Sequence, residues 1–476
     1  MTRESLEKRN FLFFLNDVYP LNTNTSLISA LASPSSWEAV ADMVNTARQK
    51  DAFARSINRA QLYVHVPFCG RICTFCHCSL VLLRRRSEID AYIKVLIRQM
   101  ELFAPVYKGI DAGSICFGGG TPSLLDEEQM AAILDAVDKA FPAQGRKIYF
   151  EINPSSWTAS KLAVLAGRGL FRLSIGVQSL DENVLKPLAR SQTRQKVLWC
   201  LRTARKAGVP YVNVDFIAGL PGQSVKGLVQ DLKVVIDEGA NVVNVEPYGS
   251  FGLTELAGPG ETVLAFLKRR DAMMKAAVQI LVKAGFRRKG LLGTYTRNGE
   301  GEDHNEEAYL RLETAVLGFG PFAVGQFPGA VFYRASKSTS EVDFPKVEAS
   351  AQDFKYAMGH YAVFSILNDG LDEQVFLRRF GVSLDAHCGE GLRYLQQYGL
   401  AAFSKGVWKF SGKSDVLRVS EYIALSKVLY GEDILSRLRT RFLNKYDPRQ
   451  DYSKGHSLLK AYANNSLMTL HYNMGV

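Results

Sequence analysis

Between residues 61 and 246 the chain alternates short runs rich in β-branched and aromatic residues with longer stretches whose apolar positions recur at three- and four-residue spacing. That alternation predicts parallel strands flanked by helices. Strands are expected over 62–66, 114–117, 147–152, 172–177, 212–216 and 242–246, and helices over 88–101, 126–140, 159–166, 195–207 and 225–238. Six strand-helix repeats are too few to close an eight-stranded barrel, so the expected fold class is α/β, an open partial (βα)6 barrel of the TIM type. Ligands of such a barrel sit at the C-terminal ends of the strands.

Outside this region the pattern changes. Residues 1–60 read as a polar, partly helical lead-in that covers the site, and 61–348 as the barrel with a substrate-side extension. Residues 349–476 read as a helical, winged-helix-like module and tail, with a hairpin over 401–410 that turns at Lys405-Gly406. No internal repeat of fixed period is visible.

Composition narrows the class. Hydrophobic residues make up 47% and charged residues 22% of the 476, the balance of a globular chain. No apolar run reaches the roughly 18 residues of a spanning helix. The first thirty residues mix Arg3, Glu4, Glu7, Lys8 and Arg9 and show no secretory cleavage pattern, so a cytoplasmic location is expected. The net charge of +11 attracts anions or an acidic partner. No aromatic-interleaved or zinc-finger pattern argues for nucleic acid.

The cysteines point to chemistry. Four of seven, Cys69, Cys73, Cys76 and Cys78, fall within ten residues, whereas Cys116, Cys200 and Cys388 are scattered. A disulfide framework does not look like this, and a tight thiol cluster more often ligates metal. Three thiolates at C-x3-C-x2-C spacing can hold three irons of a [4Fe-4S] cubane and leave the fourth iron open. Structural zinc is the competing reading, with Cys78 or His77 as fourth ligand, although its ligands normally come as two separated pairs. Cys78, two residues past Cys76, is expected near the cluster without ligating it.

The loop from Tyr63 to Cys78, Gly118-Gly-Gly-Thr-Pro122, Glu151-Ile-Asn-Pro154, Arg172-Leu-Ser-Ile-Gly-Val-Gln178, Asp215-Phe-Ile-Ala-Gly-Leu-Pro221-Gly and Leu317-Gly-Phe-Gly320 occur in that order. Together they resemble the oxygen-independent coproporphyrinogen III dehydrogenase (HemN-like) radical SAM family. The resemblance implies cluster ligation by Cys69, Cys73 and Cys76 and reductive cleavage of S-adenosylmethionine to a 5′-deoxyadenosyl radical. It also implies cofactor contacts: the turn of Gly118, Gly119, Gly120 and Thr121 at the methionine amino group, Glu151 at the ribose, and Arg190 at the methionine carboxylate. Gln178, Asp215 and Gly249 complete that lining, and Tyr63 and Phe75 pack on cofactor and cluster. The residue types suit these tasks, since glycine admits close backbone approach, a carboxylate accepts two hydroxyls, and a guanidinium forks onto a carboxylate. The glycine turn also reads as simple strand-to-helix packing. His65 reads as structural by position in a strand and as an active-site residue by resemblance.

Departures from the family bear on substrate. The stretch Asn16-Asp-Val-Tyr-Pro20 and the stretch Asn305 to Tyr309 replace substrate-side segments of the dehydrogenase. With Glu306 and Glu307 as a pair able to exchange a proton, these changes lead to an expectation of class C methyl or methylene transfer to a planar, conjugated or heteroaromatic small molecule, with a second S-adenosylmethionine as carbon donor. Catalytic candidates are thus Glu306, Glu307, Cys78 and His65. Coproporphyrinogen decarboxylation, heme ring opening and heme carriage are the alternatives. The resemblance further implies a flavodoxin or ferredoxin as electron donor.

Overall fold

The computed structural model describes residues 33–410, apart from 77, 79, 249–262, 290–292, 298–311, 336–345, 353, 368–369 and 398–400. Six parallel strands form its centre, in the order β2 (Arg59–Val66), β5 (Asp111–Gly119), β6 (Lys147–Ile152), β7 (Leu170–Gln178), β8 (Tyr211–Ala218) and β9 (Val242–Pro247). Between β2 and β5 lie the short strands β3 (Phe68–Cys69) and β4 (Val81–Leu82), which pair with each other rather than with the large sheet. A helix follows each central strand, which is the six-repeat barrel expected from the apolar periodicity.

Local sequence explains the helix starts. Asp126 and Gln129 close a capping box on Glu127–Ala140, and Thr158, Thr193 and Ser224 each accept a backbone N–H at the starts of the helices Ala159–Ala166, Arg194–Lys206 and Val225–Asp237. In Ser87–Phe103, Ile89, Tyr92, Ile93, Leu96, Met100 and Phe103 are buried, one face of a 3.6-residue repeat turned onto the sheet.

The sheet extends beyond the six strands on both sides. On one side β12 (Ala315–Phe319) pairs in parallel with β2, and β13 (Val324–Phe327), β14 (Val331–Ala335), β15 (Val347–Ala351) and β1 (Ser33–Ser35) follow antiparallel. On the other, β11 (Thr294–Arg297) and β10 (Phe286–Lys289) add a hairpin to β9. Close packing explains the Leu-Gly-Phe-Gly motif. The Gly318 amide donates to the Tyr333 hydroxyl at 2.9 Å, and the Gly320 amide donates to Gln99 Oε1 at 2.8 Å. A Cβ at Gly320 would stand 2.7 Å from the His65 carbonyl oxygen.

The lead-in helix Trp37–Lys50 is anchored by Trp37, which meets Phe103 and Tyr333 edge-on at ring-centroid distances of 5.7 and 5.5 Å. Phe53 joins Phe354 and Phe380 of the C-terminal part. There the helices Phe354–Leu367, Glu373–Phe380 and Leu384–Gln397 accompany a three-stranded sheet in the order β16 (Leu371–Asp372), β18 (Val407–Phe410), β17 (Ala401–Ser404), the layout of a winged helix. Lys405 and Gly406, both at positive φ, make the two-residue turn read from the sequence. Among the described residues no helix is long and apolar enough to cross a membrane.

Candidate functional site

Strand register builds the barrel interior in layers. Tyr63, Cys116, Tyr149 and Arg172 stand side by side across β2, β5, β6 and β7. Tyr63, Cys116 and Tyr149 join Val316 and Ala323 in an apolar floor. Two residues further along, and so on the same face, come His65, Gly118, Glu151 and Ser174. The candidate residues of the strands therefore converge on one end of the barrel.

The cysteine loop rises from this end. The Pro67 and Cys69 carbonyls accept from the amides of Val81 and Leu83 at 2.7 and 2.9 Å, which ties the loop's two arms together as β3 and β4. The Thr74 amide donates to the Leu188 carbonyl at 3.2 Å, fastening the loop to the segment after β7. Cys69 Sγ lies 3.1 Å from Thr121 Oγ1, and Arg190 Nη1 lies 3.9 Å from Cys73 Sγ. The second Arg190 guanidinium nitrogen donates to the Gly176 carbonyl, so this one side chain bridges the loop and the end of β7.

Cys69, Cys73 and Cys76 lie near enough to act on one another electrostatically. Burial pushes the Cys69 thiol up to about 11, against a hydrogen bond from Thr121 that lowers it. A hydrogen bond with Cys78 brings Cys76 down to about 7, helped by the Arg190 charge, while Cys78 is held well above the ordinary thiol value by the same bond and by burial. Three thiols carried by one short loop, rather than two separated pairs, are a donor set that fits a [4Fe-4S] cluster better than zinc.

The acidic side of the site is crowded. Burial, then repulsion from Asp215, raises Glu151 to about 8, while Arg172 and the Gly119 amide pull it back. Asp215 is raised by burial and steadied by Asn213, whose Nδ2 donates to Asp215 Oδ1 at 2.7 Å. A Cβ on Gly118 would stand 3.1 Å from Glu151 Oε1, and one on Gly119, at φ +106°, would stand 2.8 Å from the His65 ring. Gly119 is held by its positive φ and by the His65 ring, and Gly118 lies tight against the Glu151 carboxyl group. Gln178 closes β7 at φ +64°, a left-handed conformation that costs a non-glycine residue free energy and is found most often at functional positions.

His65 is buried, its Nδ1 2.9 Å from the Tyr63 hydroxyl and its carbonyl accepting from Tyr92 at 2.8 Å. Phe75 packs with Val184, Leu188, Leu220, Tyr248 and Phe266, partly covering Cys73. Glu306, Glu307 and Gly249 lie outside the described residues.

The structure adds residues that the sequence reading did not assign. Arg172 is a buried cation whose charge lowers both Glu151 and Asp215. Glu246, at the end of β9, is raised to about 7 by burial and by Asp215, with Arg288 opposing. Glu246 is exposed in the described structure although protein crowds its carboxyl group. Asp231 accepts from Ser179 Oγ at 3.0 Å and from the Leu180 amide at 2.8 Å, and Gln223 accepts from the Gly219 and Leu220 amides, so the helix Val225–Asp237 and the loop that leads into it pin the turns that follow Gln178 and β8. A charged residue on the inward face of a strand is the sequence signal that marks Arg172 and Glu246.

Comparison with known proteins agrees with this geometry. Residues 63–235 match the model of the radical SAM superfamily. An oxygen-independent coproporphyrinogen III oxidase of Cereibacter sphaeroides is 29% identical over 234 residues, 48% of this chain and 52% of that protein, so the match spans about half the relative's length. The mitochondrial radical S-adenosyl methionine domain-containing protein 1 of Bos taurus is 30% identical over 302 residues, 61% of this chain and 67% of that one. Among solved structures, coproporphyrinogen III oxidase (HemN) from Escherichia coli, a radical SAM enzyme, superposes with a TM-score of 0.68 over 79% of this chain and 93% of that one, at 21% identity. The chain belongs to the radical SAM superfamily, in its HemN-like family, which implies a [4Fe-4S] cluster and S-adenosylmethionine as cofactors.

Proposed function

We propose that this chain cleaves S-adenosylmethionine reductively and uses the resulting radical to take a hydrogen atom from a coproporphyrinogen-type tetrapyrrole, on the way to oxidative decarboxylation. One observation carries the radical chemistry: three thiols of one loop gather around Arg190, which also holds the end of β7, at the C-terminal ends of the strands of an open six-stranded barrel. Support for the substrate comes from the relatives whose names specify coproporphyrinogen III oxidase.

In this reading Cys69, Cys73 and Cys76 hold the cluster, which supplies one low-potential electron to the sulfonium when bound. Arg190, fixed by Gly176 and Gln192, offers its remaining edge to the methionine carboxylate. Glu151 accepts the ribose hydroxyls, an arrangement that favours its ionised form against the burial that raises it. Gln178 and Asp215 complete the polar wall, and Tyr63 and Tyr149 close the barrel floor against water. Cys78, whose thiol lies near enough to feel the Glu151 charge, sits beside the cofactor wall without ligating the cluster.

Methyl transfer with a second S-adenosylmethionine gains no support. Its residues, Glu306 and Glu307, lie outside the described part, and no relative reported above carries that activity in its name. The deciding experiment reconstitutes the cluster anaerobically and supplies dithionite, S-adenosylmethionine and coproporphyrinogen III. Substrate-dependent 5′-deoxyadenosine together with decarboxylated product is the expected result. S-adenosylhomocysteine in its place would return the methyl-transfer reading, and stoichiometric heme binding without either product would make the chain a carrier.

A further inference from the structure

Asn244 and Thr294 are polar residues in an apolar setting. β9 begins Val242-Val-Asn-Val, buried at all four positions, and Thr294, Tyr295 and Thr296 of β11 are buried beside it. A buried amide or hydroxyl costs free energy unless it is hydrogen-bonded, so polar residues in such strands persist where they find partners. The register supplies them. Asp215 of β8 stands opposite Asn244 of β9, and Asn244 opposite Thr294 of β11, which sets the three side chains in one lateral row on the same face. Thr294 Oγ1 donates to Asn244 Oδ1 at 2.8 Å, and the Asn244 side chain in turn hydrogen-bonds Asp215.

The direction of these bonds matters. An asparagine amide has a donating end and an accepting end, and turning it over exchanges them. An ionised carboxylate only accepts, so Asn244 serves Asp215 with its nitrogen and keeps its oxygen on the opposite side. The Thr294 hydroxyl is the donor that this oxygen needs. Asp215 is thereby held between two amides, because Asn213 Nδ2 donates to its Oδ1 at 2.7 Å from within β8. Gly293 lets β11 start close enough for this: its carbonyl accepts from the Val245 amide at 3.2 Å, and a Cβ on it would stand 2.5 Å from the Val245 carbonyl oxygen. β11 lies beyond residues 63–235, so the match to the superfamily model assigns no role to Thr294.

We propose that Thr294 is a positioning residue for S-adenosylmethionine: by donating to Asn244 Oδ1 it fixes the Asn244 amide with its nitrogen toward Asp215, and so holds the Asp215 carboxylate in the cofactor wall. The inference rests on the placement of Asp215 in that wall, made above. In this role Thr294 acts through Asn244 alone. Without the hydroxyl, Asn244 Oδ1 is left buried with no donor, the amide loses its reason to keep one orientation, and Asp215 loses one of its two fixed donors. Thr296 provides an internal control. It lies two residues along β11, on the same face and also buried, and its hydroxyl has no hydrogen-bond partner among the described residues.

The test measures S-adenosylmethionine binding by equilibrium dialysis on the full-length, cluster-loaded protein kept oxidised, so that affinity is read without turnover. Thr294→Val keeps the β-branched shape of the side chain and removes the hydroxyl. Its dissociation constant should rise about tenfold, the scale of one displaced hydrogen bond to a charged group, with iron content at the wild-type level. Thr294→Ala should lose affinity to the same extent. Thr294→Ser restores the hydroxyl and should bind like the wild type, and so should Thr296→Val. Unchanged affinity in Thr294→Val, or an equal loss in Thr296→Val or Thr294→Ser, would overturn the proposal. Asp215→Ala tells the two readings apart. Weakened binding there beside unchanged binding in Thr294→Val removes the role of Thr294 alone, whereas unchanged binding in Asp215→Ala removes Asp215 from the cofactor wall and the proposal with it.

Discussion

Gly118 and Glu151 are in mutual contact across β5 and β6: the space a Cβ would occupy on Gly118 ends 3.1 to 3.2 Å from three atoms of the Glu151 carboxyl group. The carboxyl position is therefore set by the absence of a side chain on the neighbouring strand. Gly118→Val should push Glu151 off the ribose position proposed for it, raising the KM for S-adenosylmethionine by about tenfold, on the scale of one displaced charged hydrogen bond. Circular dichroism of the variant should match the wild type. An unchanged KM would show that Glu151 does not touch the cofactor.

Iron content separates the four clustered cysteines. Cys69→Ser, Cys73→Ser and Cys76→Ser should each lose the visible absorbance of the reconstituted cluster, because each removes one of three ligands. Cys78→Ser should keep the iron, because Cys78 lies near the cluster without ligating it. A cluster that vanishes in Cys78→Ser as well would make the thiol a fourth cluster ligand and leave no open iron for S-adenosylmethionine.

Two sites give the cluster-free protein opposite responses to pH. Glu151, raised to about 8, binds a proton more tightly folded than unfolded, so its contribution is whole below the ordinary glutamate range and is lost as pH rises through that value. His387, in the C-terminal module and stacked on Phe376, is lowered to about 4 by burial and by Lys355. Its contribution is present above the ordinary histidine value and is lost as pH falls toward 4. Thermal melts should show stability falling on both sides of a maximum, with Glu151→Gln flattening the alkaline limb and His387→Phe the acid one. Identical pH profiles for both variants and the wild type would contradict the assignment.

Trp37 holds the lead-in to the barrel through Phe103 and Tyr333. Trp37→Ala should cost about 3–5 kcal/mol in chemical denaturation, the range for deleting a large buried aromatic. A loss below about 1 kcal/mol would mean that this helix packs only loosely on the sheet.

The six parallel strands were legible because each is a compact apolar run followed by an amphipathic helix, two local periodicities that reinforce each other. The hairpin turn at Lys405-Gly406 was legible for a similar reason, since its backbone demand is met by residues next to each other in sequence. The strands from Ala315 to Ala351 were not read as such. Ala315–Phe319 is buried at every position and contains a glycine, so it shows no alternation, and its partner β2 lies far away in the chain. Site legibility divided the same way. The cysteine spacing, Glu151 and Arg190 stood out in sequence, whereas the Glu246–Asp215 repulsion and the Asp231 and Gln223 braces depend on elements brought together only by folding.

The parallel pairing of β12 with β2 also sets an order of events during synthesis. β2 leads directly into the cysteine loop, yet its flank toward β12 stays an unpaired edge until residues 315–319 have left the ribosome. An open edge of eight mostly apolar residues invites pairing with other chains. The nascent protein thus carries the cysteine loop on an open strand edge until residues 315–319 arrive, and iron loaded before that moment would enter a seat not yet built.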